Sequence, residues 1–174
     1  MKKRILQGVV LAFATFAWVS FDTIKGWIPT GSAPQNYEMG NDAKYNNDGV
    51  GVNVIKSRPG NTAGFGALMQ QIDAKTFKGK RIKVTGIIKS SDVREWGGIW
   101  VSVDQEAGQN VSLENMKHSS ITGTKDAFTY VSIVVDVPSN SKGIAYGSVL
   151  KGAGQISTGR VSFDIVDKSV PISK

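Results

Sequence analysis

The residues best equipped for chemistry in this chain lie together, in Trp96-Gly-Gly-Ile-Trp-Val-Ser-Val-Asp104. Read as a strand, with side chains alternating between two faces, the run puts Trp96, Gly98, Trp100, Ser102 and Asp104 on one side. Gly97, Ile99, Val101 and Val103 then form the other side, which is plain core. The first side carries two indoles beside small and polar groups, a surface on which a flat ligand could stack. The same pair could equally be covered by a loop or by N-terminal chain and belong to the core. Gln70, Asn115 and Tyr146 are the hydrogen-bonding candidates to accompany the indoles, with Asp104 a weaker one. The chemistry so described is recognition. Sugar rings offer apolar faces to indole and hydroxyls to amides, so carbohydrate is the expected ligand class.

Residue types needed for catalysis are scarce. His118 is the single histidine, so a Ser-His-Asp triad could use no other base. It stands beside Ser119 and Ser120 and reads best as a solvated loop residue. With one histidine and no cysteine, a zinc site would have only carboxylates to draw on, and disulfide or thiol chemistry is excluded. Carboxylates for glycoside hydrolysis could come from Asp92, Glu95, Asp104, Glu106 and Glu114. Their spacing singles out no acid and nucleophile. The glycine pairs Gly64-Phe-Gly66 and Gly152-Ala-Gly154 lack the strand-turn-helix setting of a phosphate loop and read as turns. No cofactor is expected. A structural calcium ion is the one exception left open, at Asn41, Asp42, Asn47 and Asp48, although these lack the regular acidic spacing of a calcium loop.

These side chains must be positioned by strands. Twenty glycines against five prolines, with many Val, Ile, Ser and Thr, favour short strands joined by tight turns. Strands are predicted over 50–56, 64–72, 81–89, 96–104, 111–115, 127–137, 143–150 and 160–166. Turns fall at Arg58-Pro-Gly-Asn61, Phe77-Lys-Gly-Lys80, Glu106-Ala-Gly108, Pro138-Ser-Asn140 and Gly152-Ala-Gly154. Residues 29–34 read as irregular and 40–49 as a loop, and 73–76 as the single helical turn. Alternation then nominates a core of Ile99, Val101, Val103, Val131, Ile133, Val135, Val161, Phe163 and Ile165. The predicted fold is all-β, an antiparallel two-sheet sandwich preceded by an N-terminal hydrophobic leader helix.

The chain of 174 residues suits one domain that needs no staples. Lys2-Lys3-Arg4 followed by the apolar run 5–19 has the form of a secretory signal or an uncleaved signal-anchor. Residues 1–20 are therefore expected to be a leader and 21–174 the folded domain. The formal charge is +7, and without the three leading basic residues it falls to +4, spread along the chain. The densest remaining group, Lys75, Lys78, Lys80, Arg81 and Lys83, reads as a turn and solvated strand face.

Several blocks, taken in order, carry a resemblance. They are Phe65-Gly-Ala-Leu-Met-Gln-Gln-Ile-Asp-Ala-Lys-Thr-Phe-Lys-Gly-Lys-Arg81, the tryptophan run 96–104, Glu114-Asn-Met116, Ile121-Thr-Gly-Thr124, Val134-Val-Asp-Val-Pro138 and Ile144-Ala-Tyr-Gly-Ser-Val-Leu-Lys-Gly-Ala-Gly154. Over most of 27–166 the chain resembles bacterial domains with a galactose-binding-like jelly-roll fold, found alone or appended to AraC-type transcriptional regulators. The resemblance implies a jelly roll, and for that class at large the binding of sugars, polysaccharides or other small or polymeric ligands. The sequence carries no helix-turn-helix segment, so no nucleic-acid partner is expected.

The combined expectation is a non-catalytic, exported binding module for a carbohydrate or similar ligand, periplasmic, secreted or held to the membrane only through an uncleaved leader. The alternative is a structural, protein-interaction or sensory accessory domain. An enzyme would need a catalytic constellation that these residues do not display.

Overall fold

The computed structural model describes residues 26–42, 51–60, 62–103 and 119–173. Within them the chain is all-β apart from a short 3-10 turn at Pro34–Asn36. Eight strands run in order: β1 (Ile28–Thr30), β2 (Tyr37–Asn41), β3 (Asn53–Ser57), β4 (Phe65–Asp73), β5 (Arg81–Val103), β6 (Ile121–Asp136), β7 (Gly143–Lys151) and β8 (Gln155–Val166). Hydrogen bonding joins them as β1-β4-β7-β5-β8-β3-β2, with β6 also on β5. Every ladder among the described residues is antiparallel.

One strand organises the molecule. Alternating Ile82 and Val84 start β5, and Ile99 to Val103 finish it, which the sequence presents as two strands, 81–89 and 96–104. The structure makes them one strand of 23 residues. Its first part, up to Ser91, pairs with β8 and largely with β6, whereas Trp96 to Val103 pair with β7. The change of partner occurs at Asp92, whose φ of 50° is left-handed. A short polar residue tolerates that conformation better than most. The Asp92 N–H donates to Thr124 Oγ1 at 3.0 Å, and the Arg94 N–H to the Ala153 carbonyl at 2.9 Å. Gly154 makes this approach sterically feasible: a Cβ there would stand 2.6 Å from the Asp92 carbonyl oxygen, and its φ of 125° suits glycine alone.

Because β5 bends, strands that share no ladder share a core. Tyr37, Ile55 and Ile156 of β2, β3 and β8 pack with Leu68 of β4, Leu150 of β7, and Ile88 and Val93 of β5. A second cluster joins Ile82, Val84, Ile133 and Val137 to Ile99, Val101 and Ile144. Even the two parts of β5 meet, since a Cβ on Gly86 would lie 3.5 Å from the Ile99 side chain.

The nominated core is largely inside. Ile99, Val101 and Ile133 are buried, and Val103, Val131, Val135, Val161 and Phe163 are partly buried against the same cluster. Ile165 is the correction. It is 53% exposed, near the end of β8. Two strands went unread: β1 in a stretch read as irregular, and β2 with its Gly40-Asn41 end. Both are short strands that the sheet recruits by ladder bonds, β1 through Ile28 to Thr30 against β4 and β2 against β3. The expected leader and the predicted strand at 111–115 lie outside the described residues. Among the described residues no helix is long and apolar enough to cross a membrane.

Candidate functional site

The strand register brings Gln70 and Tyr146 together. They are direct partners in the β4–β7 ladder, and the Tyr146 hydroxyl donates to Gln70 Oε1. Their face is that of Leu68 and Ile99, turned towards β3 and β8. Tyr146 is fixed from both sides: its ring meets Phe163 edge-on at 4.9 Å between centroids and Trp27 edge-on at 5.9 Å. Burial raises the phenol above its usual range, so it is a neutral hydroxyl at physiological pH. Opposite stand Asn53 and Thr158, partners in the β3–β8 ladder and both buried.

Between these groups lies a cleft of about 200 Å³ lined by Trp27, Gly51, Asn53, Gln70, Ile99, Tyr146, Gly147 and residues 158–161. It is smaller than sites enclosing drug-sized ligands, roughly 300–1,000 Å³, and suits one ring or one end of a longer ligand. The lining combines an indole and a phenol with amide and hydroxyl groups, and among the described residues it contains no carboxylate. That set can stack on a ring and donate and accept hydrogen bonds. Among the described residues it holds no acid–base pair.

A bulge shapes the rim. Ile87 pairs with Gly159 and Thr85 with Ser162, so Arg160 and Val161 together face the single residue Gly86. Arg160 adopts a left-handed φ of 52°. A bulge of this kind turns successive side chains out of alternation, and here Arg160 and Val161 both reach the cleft.

The tryptophan pair is placed differently from the open platform considered above. Residues 96–103 pair one-for-one with β7 without a bulge, so Trp96 and Trp100 do share a face. That face is not open. Trp96 is 8% and Trp100 1% exposed, packed with Phe65, Ala67, Met69, Ala145 and Val149. Trp100 Nε1–H also donates to the Ser148 carbonyl at 3.3 Å. The apolar neighbours contributed by β4 and β7 make the indoles core rather than a stacking surface, the second of the two alternatives. They lie on the opposite face of the β4–β7–β5 ladder from the cleft.

Asn115 and Asp104 lie outside the described residues, as do His118, Glu106 and Glu114. Of the other carboxylates, Asp92 is paired with Arg94 and Glu95 with Lys151, both away from the cleft lining. Asn47 and Asp48 of the loop considered for calcium are also outside the described residues. Among the described residues no three His, Cys, Asp or Glu gather as a metal site. Trp27, Asn53, Thr158 and Arg160 were missed as site residues. Trp27 was visible as an aromatic just past the expected leader, but its meeting with Tyr146 depends on β1 joining β4.

No family model matches the chain. It is 37% identical over 149 residues to an uncharacterised HTH-type transcriptional regulator of Bacillus subtilis (strain 168), YbfP, covering 85% of this chain and 50% of the relative. The chain thus spans about half the length of that curated relative, in line with a domain that also occurs within regulators. Among solved structures it is similar in fold to the enzymatically active domain of bacteriophage CBA120 tailspike protein 4. That match has a TM-score of 0.59 and 14% identity, over 84% of this chain and 20% of the other. It is also similar to a xylan-binding domain from CBM 22, with a TM-score of 0.54 and 6% identity, over 83% of this chain and 89% of the other. At these identities the likeness is one of fold.

Proposed function

We propose that this chain is a non-catalytic carbohydrate-binding module whose sheet closes as a two-layer jelly roll, and that its ligand sits in the cleft of Trp27, Gln70 and Tyr146. The observation that carries the reading is the cleft itself. An indole, a phenol and an amide converge there with buried polar groups opposite, in a volume suited to a ring. The fold shared with a xylan-binding domain that is matched over nearly its whole length supports the same ligand class. In this reading the tryptophans at 96 and 100 support the cleft from behind.

Gln70 offers an amide to hydroxyls and accepts the hydrogen bond of the Tyr146 hydroxyl. Gln70→Ala is expected to weaken oligosaccharide binding by about 1–3 kcal/mol while changing stability little. Isothermal titration with a panel of neutral and acidic oligosaccharides, beside thermal melting, reads both effects. Unchanged affinity in Gln70→Ala would place the ligand elsewhere. A panel without any binder would favour the structural or protein-interaction reading, which the burial of Trp96 and Trp100 favours.

Export completes the proposal, resting on Lys2-Lys3-Arg4 and the apolar run behind it. Fractionation of cells making the full chain is expected to place it in the envelope or medium. Recovery from the soluble cytoplasm with an intact N-terminus would reject this part alone.

A further inference from the structure

We infer that the cleft selects a sugar bearing an anionic substituent, and that Arg160 is the residue that reads it. The inference rests on the carbohydrate reading and names the class of glycan. It stands on three independent features of the β8 rim.

The first is pairing. Four arginines lie among the described residues, and three of them meet carboxylates: Arg58 with Glu38, Arg81 with Asp136 and Arg94 with Asp92. Arg160 alone has no ion pair or hydrogen bond there, and it is exposed at the cleft. The second is the charge of its surroundings. Among the described residues the lining holds no carboxylate, so none of them neutralises the guanidinium. An incoming carboxylate, sulfate or phosphate would meet an unopposed cation whose planar fork can bind two oxygens at once.

The third is the backbone. A regular β8 would alternate Thr158 and Arg160 to the same face and send Val161 to the other. The bulge opposite Gly86 instead brings Arg160 and Val161 to the cleft together, with Arg160 held at a φ of 52°. The bulge adds Val161 to the face that Arg160 already shares with Thr158. A non-glycine residue at such a φ is uncommon, and strained backbone of this kind clusters at ligand sites. Asn53, Gln70 and Tyr146 would then hold the ring hydroxyls while Arg160 holds the charged substituent.

The test is a titration of the full chain with matched oligosaccharides that are neutral, uronic-acid-bearing, sulfated or phosphorylated. The anionic members are expected to bind about tenfold or more tightly than their neutral counterparts at low salt, an advantage that salt reduces. Arg160→Gln should abolish that advantage, lowering affinity for the anionic members by about tenfold or more and for the neutral member by much less. Arg160→Gly, which accepts the same φ without strain, should do the same and guards against a folding defect in the first variant. Which anionic member binds best identifies the substituent. Equal binding of neutral and anionic members, or a preference that survives both substitutions, would overturn the inference and leave the carbohydrate reading intact. If no member binds at all, the carbohydrate reading fails and this inference with it.

Discussion

Trp100 shows how much a single side chain can decide. Its indole is 1% exposed among Phe65, Ala67, Met69 and Val149, and its N–H is satisfied by Ser148. Truncation would leave a cavity that the surrounding strands cannot close. Trp100→Ala is therefore expected to cost about 3–5 kcal/mol in urea unfolding. A loss below about 1 kcal/mol would return the residue to the surface. The buried phenols make a second residue-scale prediction. Burial is the main cause that raises the pKa of both Tyr37 and Tyr146 above 10.0. Below pH 10 both are neutral folded or unfolded and the shift has no effect on stability. As pH rises past 10 the unfolded chain ionises first, so the unfolded state is favoured and stability falls until the folded pKa is reached. Tyr146→Phe should flatten that alkaline decline in melting temperature, whereas an unaltered slope would mean that Tyr146 ionises freely in the fold.

At the scale of elements, the start of β5 gathers three parts of the chain. Arg81 binds both carboxylate oxygens of Asp136 at the end of β6, at 2.8 and 2.9 Å. Its Nη1 also donates to the carbonyls of Lys168 and Val170, at 2.6 and 2.7 Å. The Asp136 carboxyl is held below the usual carboxylate range chiefly by the hydrogen bond from Arg81. One guanidinium thus ties the β5–β6 ladder to the segment that follows β8. Arg81→Ala is expected to leave the core transition in place but to speed amide exchange across 167–173 by at least about tenfold, since that segment has few other ties. Unchanged exchange there would show that Ser173, whose N–H donates to the Val134 carbonyl at 3.0 Å, suffices to anchor it.

At the scale of the whole molecule, β5 and β7 contribute to each of the three buried clusters, so stability should be cooperative throughout. Ile133 tests this. It is 2% exposed on β6 and packs in the cluster that also holds Ile99, Val101 and Ile144. An ionised group there would be buried without a partner, so Ile133→Asp should abolish the cooperative unfolding transition altogether. A variant that melts within a few degrees of the parent would reject the assignment. The cleft draws its lining from β3, β4, β5, β7 and β8.

Alternation and turn chemistry are local, and the sequence determined what depends on them. Ile99 and Val101, Val131 and Ile133, and Val161 and Phe163 could be assigned to an all-β core because period two survives whatever the strands pair with. Gln70 and Tyr146 were recognisable as hydrogen-bonding candidates, although not as partners of each other. The sequence put Trp96 and Trp100 on one face provided their strand runs unbroken, and the regular ladder with β7 meets that condition. Whether that face is open was beyond the sequence, because burial depends on which strands lie alongside. The β4–β7–β5 order supplied the apolar neighbours that made the indoles core. Tertiary structure likewise decided that the predicted strands at 81–89 and 96–104 are one, since continuity through Asp92 is held by Thr124 and the turn at Gly154. It decided the cleft as well. The bulge at Arg160 arises from a register mismatch between β5 and β8, a property of two strands that neither sequence segment carries by itself.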